Sequence, residues 1–91
     1  MLFQTIQSIT IAELKGKLTS SIQLIDVRTP NEYRGGHIRQ AKNLPLQRIT
    51  SFKGDQAKPV YVICQSGMRS KQATKELNKM GYQAINVRGG M

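Results

Sequence analysis

The segment that most constrains the fold is the run at residues 60–63, which is near-continuously apolar and β-branched and leads directly into Cys64. A strand of this kind is covered on both faces, as central strands of parallel sheets are. After Cys64 the periodicity becomes helical, because Ala73, Leu77 and Met80 recur at the spacing of one helix face. Strand and helix patterns alternate along the whole chain. We therefore predict an α/β fold, with a small parallel sheet of four to five strands and helices on both faces.

Local signals set the other boundaries. Two capping boxes, each a threonine followed three residues later by a glutamate, predict helix starts: Thr10 with Glu13, and Thr29 with Glu32. The first helix is expected to run through Leu18, and the second to stop at Gly35. Further strands are predicted at residues 22–27, 41–44 and 83–87, a helical turn at 46–51, and a helix from the Cys64 loop to about Met80, closed by Gly81. At 91 residues, we expect a single domain over residues 1–91.

The chain is strongly basic, with 14 Lys and Arg against 5 Asp and Glu and a formal net charge of +9. Such a charge suits a small anionic substrate or a polyanionic partner. No interleaving of basic and aromatic residues is present, however, and Lys71, Lys75 and Lys79 recur as a solvated helix face does. We expect neither nucleic-acid binding nor membrane insertion. With one cysteine and no export signal at the N-terminus, we expect a cytoplasmic protein.

The loop after residue 63 is the candidate site. Cys64 stands where a strand gives way to a helix, and such a position exposes a thiol to backbone N–H groups that favour the thiolate. A buried, inert cysteine is the alternative interpretation. The residues that follow favour a chemical role, because a short loop with glycine can curl its N–H groups inward around an anion. They are Gln65, Ser66, Gly67, Met68, Arg69 and Ser70, and we predict that they bind the substrate, with Arg69 offering a two-pronged fork to an oxyanion.

Three other residues are candidates for roles around the site: Asp26, Arg28 and His37. Asp26 and Arg28 follow a predicted strand at its C-terminal end, where they can flank the site. We interpret them as an ion pair or a helix cap that holds neighbouring loops. His37 is the only histidine, and we interpret it as a hydrogen-bonded structural residue, because a low-pKa thiolate requires no general base.

Residues 64–70 resemble the active-site loop of the rhodanese (thiosulfate:cyanide sulfurtransferase) family in its single-domain form. Residues 26–38 are similar to the family's Asp-Val-Arg, Glu-Tyr and Gly-His-Ile segment, residues 43–45 to the segment that follows, and residues 89–91 to its closing Gly-Gly turn. The resemblance extends over about residues 8 to 91. Gln40 departs from the usual glycine, and family members usually continue past Met91 into a final helix, so we expect that helix to be missing here.

The resemblance implies a sulfurtransferase that moves a sulfane sulfur from thiosulfate or a persulfide donor to cyanide or a thiol acceptor, through a persulfide on Cys64. It implies no metal and no organic cofactor. Because the chain has no second cysteine, the acceptor thiol must come from outside; we expect a monomer or weak dimer. One alternative is a phosphatase, but related phosphatases have one more residue between cysteine and arginine than the four found here. The other is an interaction module without catalysis, which usually lacks the nucleophile.

Overall fold

The computed structural model describes residues 6–19, 21–65 and 67–89. Its strands are β1 (Gln7–Thr10), β2 (Gln23–Asp26), β3 (Lys42–Asn43), β4 (Val60–Ile63) and β5 (Ala84–Arg88). Its helices are α1 (Ile11–Lys15), α2 (Pro30–Arg34) and α3 (Met68–Lys79), with a 3-10 helix at Leu46–Ser51.

The five strands form one sheet in the order β1-β5-β4-β2-β3, and every pair in it is parallel. The apolar strand β4 lies in the middle, as its composition predicts. In the register of β2 with β4, Asp26 is opposite Ile63. The C-terminal ends of β2 and β4 therefore lie side by side, and the N–H of Val27 donates to the carbonyl of Ile63 at 3.0 Å.

Each face of the sheet carries its own apolar layer. One layer joins β2 and β4 to α3 and the 3-10 helix, and contains Ile25, Ile49, Val60, Val62, Cys64, Ala73 and Leu77. The other joins the opposite faces of β2, β4 and β5 to α1, and contains Leu14, Leu24, Ile63 and Val87, with Tyr33 of α2 packed against it. The predicted α/β fold with helices on both faces is confirmed.

Both capping boxes are present, with the threonine side chain accepting from the glutamate N–H and the glutamate carboxylate accepting from the threonine N–H. Helix α1 nevertheless ends at Lys15, so the prediction that it reaches Leu18 was wrong. The reason is local, because Gly16 is the C-cap. The N–H of Gly16 donates to the carbonyl of Glu13, and the N–H of Lys17 donates to the carbonyl of Leu14. Leu18 still packs against the core from the turn that follows.

Strand β1 was not predicted. Its sequence has no continuous apolar pattern, and it is a strand because it pairs with β5 along the sheet edge, Gln7 opposite Ile85 and Ile9 opposite Val87. Strand β3 is shorter than predicted and pairs only through Lys42 and Asn43. No helix in the described ranges has the length and apolar character needed to cross a membrane.

Candidate active site

Cys64 lies fully buried at the C-terminal end of β4, and its sulfur is held at the start of α3. The backbone N–H of Gly67 donates to Sγ at 2.9 Å, and that of Ser70 at 3.3 Å. The curl that aims these groups inward depends on Gly67, whose φ of 93° lies in the left-handed region, as the sequence predicts. N–H donors and the positive end of a helix dipole both stabilise a negative charge on sulfur.

Ser70 connects the sulfur to strand β5. Its hydroxyl oxygen lies 3.4 Å from Cys64 Sγ, 3.1 Å from the carbonyl of Gly67 and 2.5 Å from Oδ1 of Asn86. Ser70 is fully buried and Asn86 nearly so. The Cys64 thiol donates to the Ser70 hydroxyl oxygen, and the one proton of that hydroxyl is donated either to the Gly67 carbonyl or to Asn86 Oδ1. Sequence reasoning missed Asn86, since nothing in its local pattern distinguishes it from other residues of a strand.

Arg69 is held by α2. Its two amino groups donate to the two carboxylate oxygens of Glu32 at 2.7 and 2.9 Å. This pairing, with the Thr29 N–H as the next cause, lowers the pKa of Glu32 to about 2. The pKa of Arg69 is raised, chiefly by Glu32 and to a smaller extent by the charge of Cys64. Arg69 therefore adds a permanent positive charge beside the sulfur, but its fork is engaged by Glu32 and not turned to an open site.

Glu32 was assigned only a capping role from the sequence, and it has two. Its Oε1 accepts from the N–H of Thr29 at 3.0 Å and also from Arg69. The capping box alone accounts for a glutamate at position 32, so nothing in the sequence indicated a second partner. The second role arises only because the fold sets α2 beside the start of α3.

Asp26 and Arg28 form a buried ion pair, in agreement with the structural interpretation. The Asp26 carboxylate accepts from the Arg28 backbone N–H at 3.0 Å, from Nε at 3.0 Å, and from a terminal amino group at 2.8 Å. That amino group also donates to the carbonyl of Gly36 at 2.7 Å. Hydrogen bonding to Asp26 raises the pKa of Arg28. The pair ties the end of β2 to the turn after α2. Helix α2 itself carries Glu32, which binds Arg69.

His37 is exposed and has local partners. Its Nδ1 lies 2.7 Å from the carbonyl of Tyr33, and its ring stacks on the Tyr33 ring at a centroid distance of 3.6 Å. These contacts agree with a hydrogen-bonded structural histidine.

The remaining loop residues differ in exposure. Gln65 is exposed, and Met68 is 75% exposed at the first position of α3. The predicted substrate-binding role of Ser66 and the closing turn at Gly90 and Met91 fall outside the described residues. Within residues 6–19, 21–65 and 67–89, no three His, Cys, Asp or Glu side chains are grouped so as to hold a metal ion.

Comparison with known proteins gives a consistent result. The Rhodanese-like domain family model matches residues 10–91. The uncharacterized protein YqhL of Bacillus subtilis is 48% identical over 71 residues, covering 75% of this chain and 56% of YqhL. Thiosulfate sulfurtransferase PspE of Escherichia coli is 38% identical over 71 residues, covering 74% of this chain and 68% of PspE.

A solved structure agrees with the sequence matches. The rhodanese-like domain protein from Staphylococcus aureus superposes with a TM-score of 0.84 at 39% identity, covering 94% of this chain and 88% of that one. This chain thus spans little more than half of YqhL and most of the S. aureus protein.

Proposed function

This chain belongs to the rhodanese-like domain family, and on that premise we propose that it is a sulfurtransferase that carries a sulfane sulfur as a persulfide on Cys64. The observation that carries the proposal is the position of the single cysteine, buried at the start of α3 with the N–H groups of Gly67 and Ser70 directed at its sulfur. An inert core cysteine has no requirement for such donors. A nucleophilic thiolate does, since it must be stable without a proton.

In the first step, the thiolate of Cys64 attacks the outer sulfur of a donor such as thiosulfate. A bond forms between Sγ and that sulfur, the sulfur–sulfur bond of thiosulfate breaks, and its electron pair leaves with sulfite. The charge is balanced, because a thiolate and a thiosulfate dianion become a persulfide anion and a sulfite dianion. The N–H groups of Gly67 and Ser70 are positioned to hold the negative sulfur. The guanidinium of Arg69, although paired with Glu32, interacts favourably with a negative charge on Cys64.

In the second step, cyanide or an acceptor thiolate attacks the outer sulfur of the persulfide, and Cys64 leaves as a thiolate. The whole cycle is ping-pong covalent catalysis. No second cysteine exists in this chain to resolve the persulfide internally, so the acceptor is a separate molecule. A cysteine that must be a thiolate and not a disulfide at the start of each cycle suits the cytoplasm, where thiols stay reduced.

The experiment that tests the proposal is incubation of the protein with thiosulfate, followed by intact-mass measurement. We expect the mass to rise by one sulfur atom and sulfite to be released in equal amount. Adding cyanide should return the protein to its original mass with formation of thiocyanate. Cys64→Ser is the matched control, because it retains the loop and removes only the nucleophile. A protein that stays unmodified while the donor is active would instead support the interaction-module alternative.

A further inference from the structure

A basic cleft of about 620 Å³ adjoins the reactive loop, between α3 and the β1–β5 edge of the sheet. Gly67 and Met68 line the cleft, and Gly67 joins it to the site, since its N–H donates to Cys64 Sγ. The charged lining of the cleft comes from Lys71 and Lys75 of α3 and from Arg88 of β5. The proposed transfer of sulfur from thiosulfate involves a few atoms only, so a cleft of this size is larger than that donor requires.

The charge of the cleft is of one sign. All three cationic side chains are on exposed residues, and none of the described residues that line the cleft is acidic. Among the ion pairs within the described residues, none involves Lys71, Lys75 or Arg88. Glu13 interacts electrostatically with Arg88, since the charge of Arg88 contributes to lowering the pKa of Glu13, after the hydrogen bonds from Thr10. An anionic ligand would therefore meet cations that have no ion-pair partner inside the described ranges.

The shape favours a peptide over a small molecule. The cleft is more open than enclosed, whereas a small-molecule site encloses most of its ligand. Lys71 and Lys75 are one helical turn apart, about 6 Å along the α3 axis. Alternate residues of an extended chain are about 6.6 Å apart and point the same way. Acidic side chains at alternate positions of an extended segment thus match the two lysines, and the exposed Met68 offers an apolar contact next to Gly67.

We propose that this cleft binds an acidic, extended segment of a protein that accepts the sulfur, with the acceptor cysteine at the Gly67 end. The proposal rests on the sulfurtransferase function above and names the acceptor class. The acceptor thiolate forms a bond to the outer sulfur of the Cys64 persulfide, the bond from that sulfur to Sγ breaks, and Cys64 receives the electron pair. The persulfide is the anion formed in the first step, and its negative charge stays on the transferred sulfur. The acceptor becomes a persulfide anion and Cys64 a thiolate, so no oxidant or reductant takes part.

The first test measures binding without sulfur chemistry. The probe is a fluorescent peptide with glutamates at alternate positions and serine in place of the acceptor cysteine, titrated with the full chain and followed by anisotropy. Lys71→Glu/Lys75→Glu should weaken binding by about tenfold, because two exposed attractions become repulsions. The matched control, Lys53→Glu/Lys58→Glu, makes the same change in net charge at exposed lysines elsewhere on the surface, and should weaken binding by less than about twofold.

A neutral version of the double variant keeps the test valid if charge reversal disturbs α3. Lys71→Gln/Lys75→Gln should weaken binding by about threefold, and added salt should reduce the difference from the parent protein. Equal losses in the cleft variant and in the Lys53/Lys58 control would overturn the proposal, since only net charge would then matter. Failure of the parent protein to prefer the glutamate peptide over one with glutamine in its place would overturn it as well.

The second test measures the transfer step. Protein first loaded with sulfur is mixed with cysteine-containing forms of the acidic and neutral peptides, and the loss of persulfide is followed by mass. The ratio of acidic to neutral rate constants should fall by about tenfold in Lys71→Glu/Lys75→Glu, and an unchanged ratio would contradict the proposal. If the parent protein cannot be loaded, the sulfurtransferase function has failed, and the binding experiment alone still decides whether the cleft takes an acidic segment.

Discussion

Replacing Asp26 by alanine will leave the guanidinium of Arg28 without its partner at a site that is almost closed to water. The Asp26 side chain is fully buried and that of Arg28 is 7% exposed. The substitution removes the carboxylate that accepts from the Arg28 backbone N–H, from Nε and from a terminal amino group. What remains for that amino group is the carbonyl of Gly36.

Breaking a buried ion pair from one side costs about 3–5 kcal/mol, because the remaining charge is desolvated and uncompensated. We take the lower end, about 3 kcal/mol, since Arg28 keeps some access to solvent and one carbonyl partner. A domain of this size has a free energy of unfolding of roughly 5–14 kcal/mol, and each kcal/mol shifts Tm by about 4–8 °C. We therefore expect Asp26→Ala to lower Tm by about 12 °C or more.

Urea unfolding followed by circular dichroism measures the effect. The matched control is Asp26→Ala/Arg28→Met, which removes both charges and should recover at least about 1 kcal/mol of the loss. Intact-mass measurement after thiosulfate treatment, at a temperature where the variant is folded, separates structure from chemistry, and loading of Cys64 should persist. A loss below about 1 kcal/mol, or a double variant as unstable as the single one, would refute the reasoning. Loss of loading in a folded variant would assign Asp26 to the chemistry.

Three further predictions concern the site. The rate at which iodoacetamide alkylates Cys64 should have a pH midpoint below the ordinary thiol pKa of about 8.5, because N–H donors and the Arg69 charge favour the thiolate. The pKa of Glu32 is lowered from 4.5 to about 2 in the folded protein. The ionised Glu32 therefore stabilises the fold above about pH 4.5, and this stabilisation is lost as the pH falls towards 2. The difference in free energy of unfolding between the parent protein and Glu32→Gln, measured by urea unfolding, should narrow over that range. One residue inserted between Ser66 and Gly67 should widen the loop, raise hydrolysis of para-nitrophenyl phosphate and lower sulfur transfer from thiosulfate, in a direct comparison of the two rates.

Each of the three has a contrary outcome. An alkylation midpoint at or above 8.5 would contradict the electrostatic argument for the loop. A difference in free energy of unfolding between the parent protein and Glu32→Gln that is constant between pH 6 and pH 3 would contradict the role given to Glu32. The control is Glu76→Gln, which removes a glutamate from the exposed pair with Lys79. If the unmodified protein hydrolysed the phosphate ester faster than it transferred sulfur, the phosphatase alternative would replace the sulfurtransferase.

Local features of the chain were predicted from sequence because each depends on residues a few positions apart. The capping boxes at Thr10 and Thr29 need only a glutamate three residues later. The left-handed turn at Gly67 needs only a residue without a side chain where the loop must curl. The placement of Cys64 between an apolar strand and a helix follows in the same way, and with it the candidate nucleophile. The error at Leu18 was also local, since Gly16 ends α1 earlier than the apolar pattern indicates.

What only the tertiary structure decided is which distant groups meet around that nucleophile. Glu32 and Arg69 pair across 37 positions, and Ser70 and Asn86 across 16. Arg88 shares a cleft with two lysines of α3 because α3 packs against β5, and the β1 side of that cleft exists through the pairing of β1 with β5. No periodicity or cap encodes such contacts. They depend on how elements pack in space. The sequence alone therefore predicted Cys64 as the nucleophile, whereas the Asn86 side chain that bonds Ser70 beside it, the Glu32 carboxylate that holds Arg69 and the surface proposed for the acceptor required the assembled fold.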